Sequence, residues 1–144
     1  MDLLQQAYEI AKTADVQTEP DSVVLYSVSY QKSKINKEKA LAYLKEHPQC
    51  KTLDDTPCGK LLIALGLETN FKAPQDELMK IWAIASERFI LSASGNVTAF
   101  ADNADPRSTF VATELPNILK NEKILTVNHQ NKFVFSDSIN SGKQ

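Results

Sequence analysis

Near the start of the chain, Leu3, Leu4, Ala7, Tyr8 and Ala11 recur at helical spacing, so residues 2–13 read as an amphipathic helix. After a turn at Thr18–Ser22, the run Val23–Tyr30 is rich in β-branched and aromatic residues and reads as extended. A helix is expected from Asn36 as N-cap to about Glu46, stopping before Pro48. Thr56 and Pro57 have N-cap and first-turn character. They open a short apolar helix through Leu61, Leu62 and Leu65 to Gly66 as C-cap. Ala73-Pro74-Gln75-Asp76-Glu77 starts the longest helix, with acids at its positive end. That helix carries Leu78, Ile81, Trp82, Ala85, Phe89 and Ile90 and ends near Gly95. From Asn96 the pattern changes to strand-like runs at 97–101, 109–113, 124–127 and 133–135, with a short helical stretch near 117–120 and a frayed tail at 136–144.

This order gives an α+β fold: a helical N-terminal lobe (about 1–94) packed on a small C-terminal sheet-containing lobe (about 95–135), with a cleft between them. At 144 residues and 42% hydrophobic the chain suits one domain, able to bury roughly two-thirds of its unfolded surface. No low-complexity tract or hydrophobic run of membrane-spanning length appears, which removes disordered, fibrous and integral-membrane readings. Sixteen basic against eighteen acidic side chains leave a net charge of −2, and this argues against nucleic acid as the main partner. Residues 31–51 depart from that balance with six Lys against two Glu, either a solvated face or a contact for an acidic partner.

Cys50 and Cys58 form no disulfide framework, and with His47 and His129 they match no standard zinc spacing, so no metal is expected. The usual nucleophile, P-loop, dinucleotide-binding and metalloprotease signatures are missing. Two segments carry the candidate chemistry. Trp82 and Ser86 lie one turn apart on one helix face. The indole is either a core anchor or a cavity wall, and the hydroxyl either back-bonds to the helix or faces a polar pocket. Glu114 follows the run at 109–113 and precedes Leu115-Pro116, as either a solvated edge acid or a fixed carboxylate at a cleft rim.

Trp82-Ala83-Ile84-Ala85-Ser86-Glu87-Arg88-Phe89 resembles the W-x-x-x-S-x-R-F helix of the ADP-ribosyl cyclase/cyclic ADP-ribose hydrolase family. Ser108-Thr109-Phe110 with Glu114 is similar to that family's S-T-F-x-x-x-E, which ends in its catalytic glutamate. Thr52-Leu53-Asp54-Asp55-Thr56, with Gly59, is similar to its T-L-E-D-T-x-x-G. The blocks occur in family order across residues 52–114.

The resemblance implies cleavage of the nicotinamide–ribose bond of NAD or NADP. Glu114 would hold the ribose hydroxyls and stabilise the sugar cation. Trp82 would stack on nicotinamide, Ser86 would lie near the anomeric carbon, Asp54 would stand for the carboxamide-recognising glutamate, and Thr109 and Phe110 would line the diphosphate. Tyr30 is the nearest substitute for a second cleft tryptophan. Such a cleft favours hydrolysis over cyclisation and needs neither cofactor nor metal, since NAD is the substrate. The resemblance also extends to bacterial toxin domains of the contact-dependent inhibition type. It implies a monomer delivered within a larger secreted protein, acting in a target cell's cytoplasm and opposed by an immunity protein. An ADP-ribosyl cyclase and a non-catalytic binding module or immunity protein are the alternatives.

Overall fold

The structure, a computed structural model, describes residues 2–27, 34–66, 75–102, 104 and 110–141. Helix α1 (Leu3–Thr13) opens on Asp2, whose side chain accepts from the Gln5 amide while Gln5 reaches back to the Asp2 amide. Its Ala7 and Ala11 face the core. Strand β1 (Val24–Tyr26) follows, then α2 (Ile35–Glu46), a 3-10 turn (Leu53–Asp55) and α3 (Pro57–Ala64). The long helix α4 (Gln75–Leu91) leads into β2 (Gly95–Phe100). One π-helical turn (Phe110–Glu114) then runs directly into α5 (Leu115–Lys120). Strands β3 (Ile124–Val127) and β4 (Gln130–Asn131) and helix α6 (Lys132–Ser141) complete the described chain.

The strands form one sheet in the order β1-β2-β3-β4, with β1–β2 and β2–β3 parallel and β3–β4 antiparallel. Parallel neighbours require crossovers, and here these are the helices: α2, α3 and α4 lie between β1 and β2, and α5 lies between β2 and β3. The fold is therefore α+β, although β1 comes from the first half of the sequence and α5 and α6 from the second. Asn128 and His129, both at positive φ, make the two-residue turn that joins β3 to β4. The Asn128 side chain prolongs the sheet by pairing with both the amide and the carbonyl of Ala99. The main core gathers Ala7, Ala11, Leu62, Ile81, Ala85, Phe89, Val97, Phe110, Ile118 and Ile124 between α1, α4, the sheet and α5.

Four expectations from the sequence are corrected. Residues 110–114 are helical, not a strand. Phe110, Val111, Glu114, Leu115 and Ile118 are all buried, and this helical period outweighs the strand preference of the run. Pro116 sits in the first turn of α5, where its missing amide costs nothing, rather than fixing a strand end. Residues 133–135 and the start of the supposed tail form α6, which buries Phe135 and Ser136 while Phe133 and Val134 stay exposed. The Asn131 side chain accepts from the Phe133 amide and so starts that helix.

Asn36 is not a cap. It lies within the first turn of α2, fully buried, where its amide donates to the Ser27 and Asp102 carbonyls and its oxygen accepts from the Asp102 amide. It thereby ties α2 to the chain just beyond β1 and β2. Gly66 stands one residue past the Leu65 cap at φ +89°, the left-handed position that glycine favours.

Candidate active site

A cavity of about 250 Å³ opens where β1, the 3-10 turn, α4 and the π-helical turn meet. Tyr26, Asp54, Trp82, Ser86, Phe110 and Glu114 line it together with Val24, Leu25, Thr52 and Leu53.

The 3-10 turn presents Asp54 through its own hydrogen bonds. Asp55 accepts from the amide and hydroxyl of Thr52, and the Thr56 hydroxyl donates to the Leu53 carbonyl and accepts from the Gly59 amide. Asp55 and Thr56 are thus committed within the turn and to α3, and Asp54 lines the cavity. Gly59 brings α3 hard against this turn: a Cβ there would lie 2.1 Å from the Leu53 carbonyl oxygen.

Helix α4 supplies Trp82, half-buried, and Ser86, buried, from the same face. Ser86 and Glu114 line the cavity together. Glu114 is only 7% exposed and stands at the junction of the π-helical turn with α5. Burial pushes its carboxyl up to about 8; the Ser86 hydrogen bond opposes the rise and the nearby Asp54 charge adds to it. Phe110 packs edge-on against Phe135 at 6.3 Å between ring centres, which fixes the other end of the turn.

Of the residues singled out in the sequence, Asp54, Trp82, Ser86, Phe110 and Glu114 therefore share one cavity. Tyr30 and Thr109 lie outside the described residues. Sequence reasoning missed Tyr26, whose hydroxyl donates to Asp54 Oδ2 at 3.3 Å. Two-residue alternation along β1 could have flagged it, because it places Val24 and Tyr26 on the same side of the strand.

The thiols stand apart from the cavity. Both are free and buried, and burial raises both. Cys58 Sγ donates to the Ile10 carbonyl. His47 stacks on Tyr43 at 3.9 Å, and His129 sits in the β3–β4 turn. Among the described residues no group of three or more His, Cys, Asp or Glu is placed to hold a metal ion.

No family model matches the sequence, and no curated protein matches it. Solved structures do. An ADP-ribosyl cyclase complexed with N1-cIDPR superposes with a TM-score of 0.58 at 19% identity, over 86% of this chain and 61% of that one. Aplysia cyclase, complexed with substrate NGD and product cGDPR, gives 0.56 at 23% identity, over 77% and 49%. Porcine CD38 carrying a covalent intermediate, ribo-F-ribose-5'-phosphate, gives 0.55 at 18% identity, over 86% and 66%. The fold is that of the ADP-ribosyl cyclases. The chain spans about half to three-fifths of the length of those two cyclases.

On this cyclase-like frame the α4 block divides by helical face. Trp82 and Ser86 point to the cavity. Arg88 points away, donating from Nη1 to the Ala11 carbonyl and from Nη2 to the Ala14 carbonyl, both at 2.8 Å, and so caps the C-terminus of α1. Phe89 is fully buried in the core. Only half of the block is concerned with the cavity; the other half holds the helix that carries it.

Proposed function

We propose that this chain is an NAD glycohydrolase, cleaving the bond between nicotinamide and ribose to release nicotinamide and ADP-ribose. The observation that carries the reading is the meeting of a buried carboxylate, Glu114, with an indole face, Trp82, in one cavity.

The chemistry suits those groups. The C1′–N bond breaks heterolytically, its electron pair goes to the pyridinium nitrogen, and nicotinamide leaves neutral. No proton donor or Lewis acid is needed for that departure. Positive charge then resides on the ribose, where a preorganised carboxylate in a water-poor cavity stabilises it strongly. Water adds to C1′ and gives up one proton to solvent, which balances the hydrolysis.

Glu114 rests protonated near neutral pH. A bound pyridinium would favour its ionised form, so substrate itself charges the group that stabilises the transition state. Trp82 orients the cationic ring, Ser86 holds the carboxylate, and Asp54 meets the carboxamide. Thr109 and Phe110 would contact the diphosphate, and no cofactor takes part.

In the organism we read the domain as a toxin delivered within a larger bacterial protein, depleting NAD or NADP in the target cytoplasm and neutralised by an immunity protein. The exposed Lys34, Lys45 and Lys51 of the Lys-rich segment support an acidic partner. The test is incubation with NAD and chromatographic resolution of the products. Nicotinamide with ADP-ribose supports the proposal, cyclic ADP-ribose as main product transfers it to the cyclase reading, and unchanged NAD overturns it.

A further inference from the structure

A second hollow, of about 560 Å³, opens beside α2 and α3 and shares no lining residue with the cavity. Its apolar part is made by Leu41 and Leu44 of α2 with Pro48 and Cys50. Leu44 and Cys50 belong to the small core beneath α2, whereas Leu41 is 49% exposed. Three cations line the same hollow: Lys45 from the last turn of α2, Lys51 from the segment bridged to β1, and Lys60 from α3. All three are exposed, and none forms an ion pair among the described residues. The one carboxylate in the lining, Asp55, accepts from the amide and hydroxyl of Thr52.

The basic run of the sequence is therefore not a uniform solvated face. Lys34 and Lys39 do not line the hollow, and Lys39 is paired with Asp102 at 2.6 Å. Lys60 stands outside the run, and the fold brings it to the same hollow as Lys45 and Lys51. Unpaired cations around an exposed apolar floor, in a chain of net charge −2, suit a ligand that is anionic and apolar together. No aromatic ring lines the hollow to stack a base, which speaks against single-stranded nucleic acid. Its apolar groups line a concavity rather than protrude, which suits an inserted side chain better than a lipid surface.

We propose that this hollow docks an acidic segment of a partner protein, with an apolar side chain seated on Leu41, Leu44 and Pro48 and flanking carboxylates on Lys45, Lys51 and Lys60. The hollow gives a place to the acidic partner of the preceding reading, and it rests on that reading only for the partner's role. The place has a consequence for the cavity. Cys50, Lys51 and Asp55 line the hollow, while Thr52, Leu53 and Asp54, from the same stretch of chain, line the cavity. A docked segment thus contacts the stretch that carries Asp54 and leaves the cavity's own lining uncovered.

The experiment is selection of a phage-displayed library of random peptides on the immobilised full chain, followed by affinity measurement with the enriched peptides. An apolar residue flanked by Asp and Glu should emerge. Affinity should fall about tenfold or more in Lys45→Glu/Lys51→Glu/Lys60→Glu, since like charges then face each other. Leu41→Ala should weaken binding about three- to tenfold through loss of the apolar seat. Lys34→Glu/Lys120→Glu/Lys123→Glu makes the same change in net charge at exposed positions outside the hollow and should cost far less. Circular dichroism checks that each variant is folded. No enrichment, enriched peptides without an acidic excess, indifference to Leu41→Ala, or equal losses in the two charge-reversed variants overturns the proposal. A single-stranded DNA oligonucleotide or phosphatidylserine vesicles that bind the native chain and are lost in the first variant would also overturn it, assigning the hollow to nucleic acid or membrane. No NAD enters these measurements, so failure of the glycohydrolase reading and failure of the docking proposal are told apart.

Discussion

Gly59 and Leu53 approach so closely that the α-carbon of one and the carbonyl of the other leave no room for a methyl group. Helix α3 and the 3-10 turn are consequently one unit, and the turn's Asp54 owes its place in the cavity to a glycine that never touches it. Gly59→Ala must force the helix off the turn. The cost is that of overpacking, about 1–3 kcal/mol, read as a lowered midpoint in thermal or denaturant unfolding. Turnover should fall in the folded fraction as well, since the displaced backbone is that of Leu53 and Asp54.

Glu114 sets the pH behaviour. Its folded-state value of about 8 exceeds the ordinary 4.5, so folding favours the protonated form. That contribution to stability is complete below the ordinary carboxylate range and is lost as pH rises through about 8. Glu114→Gln should therefore flatten the fall in stability between those limits, measured by denaturant unfolding at a series of pH values. The same variant should lose about 10²- to 10³-fold in turnover. In the native protein kcat/KM should climb with pH to a plateau above about 8. The corresponding limb in kcat should lie at lower pH, because a bound cation favours the carboxylate. Ser86→Ala, which deletes a donor to the charged form, should move the kcat/KM limb upward.

Trp82 is the only tryptophan in the chain, so intrinsic indole fluorescence reports on the cavity alone. Stacking of a pyridinium on that ring should quench the emission. Titration of Glu114→Gln with NAD, which separates binding from turnover, should show saturable quenching. An emission indifferent to NAD at concentrations that saturate turnover would place the substrate elsewhere.

Arg88 makes a contrasting case within the same sequence block. Its two hydrogen bonds to the end of α1 are charge-assisted, and Arg88→Ala should cost about 1.5–3 kcal/mol of stability. At a temperature where the variant stays folded, KM for NAD should hardly change, because the guanidinium faces away from the cavity.

How much of this was legible in the sequence differs from element to element. Helices α1, α3 and α4 announced themselves through periodic apolar residues and through caps such as Thr56-Pro57, where local chemistry and tertiary packing agree. The π-helical turn did not. Phe110-Val111-Ala112-Thr113 has the composition of a strand, and only burial on the 110, 111, 114, 115, 118 pattern makes it helical. Residues 133–135 misled for the same reason. Asn36 looked like a cap because asparagine usually is one, and its ties to Ser27 and Asp102 span distances in sequence that no local rule reaches. In the cavity, Trp82, Ser86, Glu114 and Asp54 were visible as motif residues. Tyr26 belonged to none of the motifs, and its hydrogen bond runs to an Asp 28 positions away.

The parallel pairing of β1 with β2 has a cost in time. No hairpin can bring Tyr26 beside Phe100; the chain must first lay down three helices and then return. Entropy of that long closure has to be met before the strands reward it, which makes such pairings slow. The hollow bounded by β1, the 3-10 turn, α4 and the π-helical turn depends on that return, and a nascent chain still lacking residue 114 has no buried carboxyl to line it.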